Sequence, residues 1–203
     1  MLSDVTVFNI RECLSGKNDS DFGEEELKQI LSEFSCNKNP DVERFLKNDS
    51  IVFTKKNQSV TYLVFTNDDA VLVGYFTIAI KPITVNTEKF SNTIKRKIAR
   101  VSEVDEETGT YTLSAYLIAQ LGKNFADGAN EQVTGKQLLQ AAVDTIKELQ
   151  YIAGGMVIFL ETDNNQRLLQ FYEDQNGFKR FDTRENRNGI DQAHTLIHLL
   201  KVM

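Results

Sequence analysis

Two hydrophobic periods alternate along the chain, and each change of period marks an element. In EEELKQILSEF the apolar residues Leu27, Ile30, Leu31 and Phe34 recur at three- and four-residue spacing, which places them on one face of a helix. A shorter helix is predicted in DVERFLKN, with Val42, Phe45 and Leu46 on its apolar side and Pro40 just before its first turn. The pattern then becomes β-like. Ser59 to Thr66 and Ala70 to Ile80, rich in β-branched and aromatic residues, flank the polar cluster Asn67, Asp68, Asp69 and read as antiparallel partners closed by a turn. Pro82 is expected to end that pairing, because it has no N–H to donate to a ladder. The run YTLSAYLIAQLG, from Tyr111 to Gly122, is too apolar along its length for one face to be solvated, so it is predicted to be a central strand.

KNFADGANEQVTG is polar, holds two glycines and has no period, and is read as a loop. The helical period returns in GKQLLQAAVDTIKELQ, where Leu138, Leu139, Ala142, Val143, Ile146 and Leu149 form one stripe. Gly154 and Gly155 separate this helix from MVIFLETD, a buried strand by composition. A helix (NNQRLLQFYEDQ), a turn (NGF) and a short strand (FKRF) follow. AHTLIHLLKVM closes the chain as a last strand, with a helix as the alternative. No repeat or low-complexity linker interrupts the order, so one domain over residues 1–203 is the expectation.

A chain of 203 residues suffices for one well-buried core, and 41% hydrophobic with 26% charged residues is ordinary for a globular protein, so disorder is not expected. No apolar run reaches the roughly 18 residues that span a bilayer, and MLSDVTVFNIRE has no basic stretch leading into an apolar one. These features predict a cytoplasmic protein with no membrane partner. Cys13 and Cys36 agree with that location, being too few for a disulfide framework and not in a C-x-x-C pair. The net charge of −6 disfavours nucleic acid as a bulk partner. A local exception is the segment holding Lys89, Lys95, Arg96, Lys97 and Arg100, whose only acid is Glu88 and which precedes the acidic run Glu103, Asp105, Glu106, Glu107. It is either a solvated helix face or a docking surface for an anionic acceptor.

The block from Met156 to Phe181 resembles the C-terminal signature of the GNAT superfamily of acyl-CoA N-acyltransferases: an Asn, an apolar residue three later, a Tyr four after that, and a Gly-Phe pair. Asn165, Leu168 and Tyr172 take the first three places, and Gly177 with Phe178 follow with one residue more than the commonest spacing. VLVGYFTIA is similar to the family's strand in which a Gly and an aromatic residue lead into an apolar run. The resemblance implies an α/β fold of GNAT type, a mixed, mostly antiparallel central sheet flanked by helices on both faces. It also implies an N-acetyltransferase with acetyl-CoA as co-substrate and a primary amine of a small molecule or peptide as acceptor. Two alternatives stand beside this reading: the GNAT toxins that acetylate aminoacyl-tRNA, which keeps tRNA in view despite the acidic average, and a non-catalytic CoA-binding or interaction module. Oligomeric state is left open, a homodimer included.

Several residues acquire roles through the same resemblance. A helix N-terminus offers unpaired N–H groups and a partial positive charge, so an acidic protein can hold a diphosphate there without many cationic side chains. Counting back from Leu138 and Leu139, Gly135 takes the last glycine place of the family's loop, Val133 the first, and Asn130 that of Gln or Arg; a frame shifted by two aligns Gln132 and Gly135 and puts Gln137 last. Val133, Thr134, Gly135 and Lys136 are therefore candidates for the diphosphate, and peptide groups of Leu121, Gly122 and Lys123 for the acyl and pantetheine portions. Asn165 would reach the pantetheine or the adjacent strand, or else cap the helix that follows, a role for which Asp163, Asn164 and Asn165 compete. Tyr172 would be the general acid at the departing thiolate. Glu161 and Asp163, at the end of a strand, are able to take a proton from the amine, Glu161 being the named candidate base. His194 and His198 are four apart, which in a strand does not converge on a metal, and are read as structural.

Overall fold

The computed structural model describes residues 5–14, 23–86, 88, 90–186 and 194–203. Its strands are β1 (Val5–Asn9), β2 (Val60–Thr66), β3 (Leu72–Asn86), β4 (Val104–Asp105), β5 (Thr110–Lys123), β6 (Val157–Asp163), β7 (Lys179–Asn186) and β8 (His194–Val202). They form one sheet in the order β1-β2-β3-β5-β6-β8-β7, with the short β4 paired to β5. The ladders β1–β2, β2–β3, β4–β5, β6–β8 and β7–β8 are antiparallel, and that of β5 with β6 is parallel. The helices are α1 (Arg11–Leu14), α2 (Glu24–Ser32), α3 (Pro40–Arg44), α4 (Ser50–Lys55), α5 (Asn92–Ile98), α6 (Gly135–Ala153) and α7 (Gln166–Leu169). Contacts group the chain into two units, Met1–Ala79 with Ile118–Lys147, and Ile80–Leu117 with Glu148–Met203.

In the first unit, Leu27, Leu31 and Phe34 from the α2 region and Val42 and Leu46 beyond it pack with Leu63, Leu72 and Tyr75. Phe34 meets Tyr75 edge to face at 5.3 Å, and the buried Tyr75 hydroxyl donates to the carbonyl of Val42 at 2.6 Å. Successive strand residues face opposite ways, so Gly74 lies on the other face. There the Cβ it lacks would come 3.1 Å from Leu138 of α6 and 2.7 Å from the carbonyl oxygen of Gly122. Helices thus cover both faces of β3.

Asn124 ties this unit together just beyond β5. Its side chain accepts from the backbone N–H groups of Ser35 (2.9 Å) and Ala126 (3.1 Å) and donates to the carbonyl of Leu72 (2.8 Å). Truncation to Ala leaves backbone groups of three segments without their partner at a buried site. Asn124→Ala is expected to destabilise the protein by about 3 kcal/mol, seen as a lower urea midpoint at unchanged slope.

The second unit has its own core, in which Ile83, Val85, Phe90 and Ile98 pack with Leu113, Ala115, Val157, Phe159 and Leu200. α5, capped by Ser91, lays Ile94 and Ile98 into it and turns Arg96 outward. The predicted elements are present, with differences: α1 and β4 were not anticipated, and the segment read as a loop holds a 3-10 helix, Ala126–Glu131. β3 runs on through Pro82 to Asn86; its last pair with β2 is Ile78 with Val60, so Pro82 lies past the ladder that it was expected to end. The helix after Pro40 extends to Lys55 through a π-helical turn, Phe45–Asp49. β1, with its outer residues partly exposed, is an edge strand whose weak alternation gave no signal. The last element is a strand.

Candidate active site

The segment that carries the family resemblance folds around its two anchors. Asn165 is the N-cap of α7, its side chain accepting from the N–H groups of Arg167 (2.9 Å) and Leu168 (3.4 Å). Beyond Leu169 the helix widens into a π-helical turn, Gln170–Gln175, which contains Tyr172. Bonds from i to i+5 take up one residue more per turn than an α-helix does. This is the physical counterpart of the additional residue between Tyr172 and Gly177. Gly177, at φ +72°, then reverses the chain, and the N–H of Phe178 returns to the carbonyl of Tyr172 at 3.0 Å.

The Tyr172 ring packs edge-on against Phe171 (4.9 Å between centroids) and against the fully buried Phe178 (5.9 Å). Burial pushes its phenol up to about 12. Among the described residues nothing hydrogen-bonds the hydroxyl. The site therefore holds a neutral phenol by its ring.

Past the anchored helix, the same unit contains a cavity of about 520 Å³. Leu117, Phe159, Ile83 and Phe181 give it apolar walls, Glu161, Asp182 and His198 line it with titratable groups, and the cations Lys81 and Arg184 line it too. His198 stands directly opposite Glu161 in the β6–β8 ladder and opposite Asp182 in the β7–β8 ladder. A bulge between Arg180 and Asp182 leaves Phe181 without a cross-strand partner, which lets consecutive residues Phe181 and Asp182 both reach the cavity. Glu161 Oε1 is 3.1 Å from His198 Nε2, but out of line for a hydrogen bond, and Nε2 has none among the described residues. Asp182 Oδ2 is 3.9 Å from Nδ1, and Arg184 reaches Glu161 only at 4.0 Å. His198, set aside in the sequence as structural, is thus the centre of this cluster. Its signal was the register of three strands, which spacing along one strand does not carry.

The remaining candidates belong to the first unit. The parallel ladder of β5 with β6 consists of two pairs, Tyr116 with Ile158 and Leu117 with Phe159, and β5 continues to Lys123. Leu121 and Lys123 are half-buried there. Burial and the neighbouring Lys38 cation push the Lys123 ammonium below its ordinary range. Gly122 has a packing reason to be glycine, since a Cβ would stand 2.4 Å from Val42 Cγ1.

At the start of α6, Thr134 and Gln137 cap each other: the Thr134 N–H donates to the Gln137 side chain (2.9 Å) and the Gln137 N–H to Thr134 Oγ1 (3.1 Å). The N–H groups of Gly135 and Lys136 have no acceptor among the described residues, and the Lys136 side chain is exposed. Val133 is 2% exposed, so its side chain serves packing rather than the open first turn. A diphosphate fits this set: two free amides at the positive end of a 19-residue helix, with a lysine beside them.

The basic segment is α5 with its flank. Lys97 donates to the carbonyl of Met203 at 3.3 Å, and among the described residues Lys95, Arg96 and Arg100 form no ion pair, not even with the acidic run that follows. Lys89 lies outside the described residues. No described helix is long and apolar enough to cross a membrane.

No protein-family model and no curated protein sequence matches the chain. Solved structures do match its fold. AtaT complexed with acetyl-methionyl-tRNAfMet superposes with a TM-score of 0.63 at 15% identity, over 98% of this chain and 95% of that one. A tyrosine-to-phenylalanine mutant of KacT gives 0.61 at 14%, over 97% and 95%. AtaTR bound with acetyl-CoA gives 0.56 at 16%, over 98% and 93%.

Proposed function

We propose that this chain, whose fold is that of the GNAT superfamily, is an N-acetyltransferase that transfers the acetyl group of acetyl-CoA to the α-amino group of an aminoacyl-tRNA. The observation that carries the reading is the end-to-end likeness in fold to a protein solved with an acetylated aminoacyl-tRNA, in a chain with a ring-anchored tyrosine whose hydroxyl has no hydrogen-bond partner among the described residues. The acidic average is no obstacle. Nearly all of the net −6 belongs to the first unit, whereas the second is close to neutral and carries α5, whose Lys95 and Arg96 form no ion pair among the described residues.

In this reading the amides of Gly135 and Lys136 hold the diphosphate, and peptide groups of Leu121 to Lys123 align the pantetheine and acyl portions. Asn165 acts through the cap that fixes α7, and so steadies Tyr172. The amine gives up a proton to a carboxylate, its lone pair forms the C–N bond at the thioester carbonyl, and the C–S bond breaks with its electrons on sulfur. With a phenol near 12 and a thiol near 8.5, outright transfer of the Tyr172 proton to sulfur is uphill. The hydroxyl therefore works first as a hydrogen-bond donor to the departing thiolate, and its proton moves only as the nitrogen sheds its second proton to replace it. Placement supplies the remainder, as no covalent enzyme intermediate is needed.

The test has two arms. Calorimetry is expected to detect binding of acetyl-CoA, and labelled acetyl groups are expected to pass to aminoacylated tRNA but not to the same tRNA after deacylation. Label appearing on neither, with acetyl-CoA bound, would reject the acceptor; absence of acetyl-CoA binding would reject the enzyme.

A further inference from the structure

The cavity around His198 combines features that a diphosphate or a metal does not need. Its inner acid is Glu161, whose side chain is 31% exposed, while Asp182, at 61%, stands at the rim. Against these acids lie aromatic and aliphatic walls from Phe159, Leu117, Ile83 and Phe181. Lys81 and Arg184 also line the cavity, Arg184 no nearer than 4.0 Å to Glu161. A carboxylate at this depth beside apolar walls is complementary to a molecule with a cationic end and an apolar body. Its volume of about 520 Å³ falls within the range of roughly 300–1,000 Å³ typical of small-ligand sites.

We infer that this cavity seats the aminoacyl end of the acceptor, with Glu161 receiving the ammonium group, and that it selects an uncharged, apolar amino-acid side chain. The inference rests on the aminoacyl-acceptor reading and gives it a substrate class. An acidic side chain would bring a third carboxylate beside Glu161 and Asp182. A lysyl side chain would bring a second cation into a cavity already lined by Lys81 and Arg184 and would desolvate it against Phe159 and Leu117. An apolar one gains from the same walls. Glu161, in contact with the ammonium, is also the group placed to take its proton, becoming a neutral carboxylic acid as the amine becomes neutral.

Amides of single amino acids serve as probes, because they present the α-ammonium without tRNA. The whole protein is titrated with leucinamide, lysinamide and the α-amide of aspartate while backbone amide resonances are followed by NMR. Leucinamide is expected to shift the Glu161, Asp182 and His198 signals saturably and to bind at least about tenfold more tightly than the other two, roughly what one charge-assisted contact contributes. N-acetyl-leucinamide, which lacks the cation, is expected to fall short of leucinamide by a similar factor. Glu161→Gln should weaken leucinamide about tenfold and leave acetyl-CoA affinity unchanged. Equal binding of the amides, shifts elsewhere, or indifference to both acetylation of the probe and Glu161→Gln would overturn the assignment. These readouts need no turnover. A cavity that fails them leaves the transfer assay standing, and a failed transfer assay leaves them interpretable.

Discussion

Tyr172→Phe is expected to lower acetyl transfer about 100- to 1,000-fold while changing acetyl-CoA affinity by no more than about twofold. The phenyl ring keeps its contacts with Phe171 and Phe178, so the loss falls on the step in which sulfur departs, and single-turnover rates are the measurement to make. A rate within a factor of three of the parent would remove the hydroxyl from the mechanism. The pH dependence follows from the same burial. Because the folded protein holds this phenol at about 12 instead of its ordinary 10.0, Tyr172 stays protonated across the neutral range and contributes no alkaline decline there. The sign for stability is that of a group whose neutral form is favoured on folding: the contribution is complete below pH 10 and is lost as pH rises through about 12. Tyr172→Phe should abolish that alkaline component in denaturation measured against pH.

Gly74→Ala has the largest expected effect on stability. Its Cβ would lie 2.7 Å from the carbonyl oxygen of Gly122, a backbone atom of the neighbouring strand, and 3.1 and 3.2 Å from the two terminal methyls of Leu138. A side chain can swing aside, but a ladder strand cannot without losing hydrogen bonds. A cost of about 3 kcal/mol is expected, which for a chain of this size is a fall in Tm of roughly 6–12 °C. Gly128→Ala provides the contrast. At Gly128 a Cβ meets nothing within 4 Å and only the φ of +76° opposes it, so the loss should stay near about 1 kcal/mol.

What could be read from the sequence was whatever depends on residues near one another in the chain. The stripe of Leu138, Leu139, Ala142, Val143 and Ile146 gave α6, and the unbroken apolar run from Tyr111 gave the central β5, because each period is set locally by helix or strand geometry. Pro82 misled for the complementary reason. It was expected to end the pairing with β2, but that ladder is already over at Ile78 opposite Val60, and β3 runs on to Asn86 with β5 as its other neighbour in the sheet. The site divides in the same way. Tyr172 and Asn165 belong to one short contiguous block with a recognisable spacing. Glu161, Asp182 and His198 come from three strands that meet only through register, and the bulge at Phe181 that brings Asp182 to the cavity leaves no trace in composition. Asn124 was passed over as one polar residue of a loop, although it is the buried knot of three segments.

The widened turn at Gln170–Gln175 bears on how chains of this kind are recognised. It lets the gap between the tyrosine and the glycine grow by one while Phe178 still closes on Tyr172, so distance along the sequence and company in space come apart. A template that demands a fixed gap will pass over such proteins, whereas one that scores the aromatic pair across a variable turn will retain them.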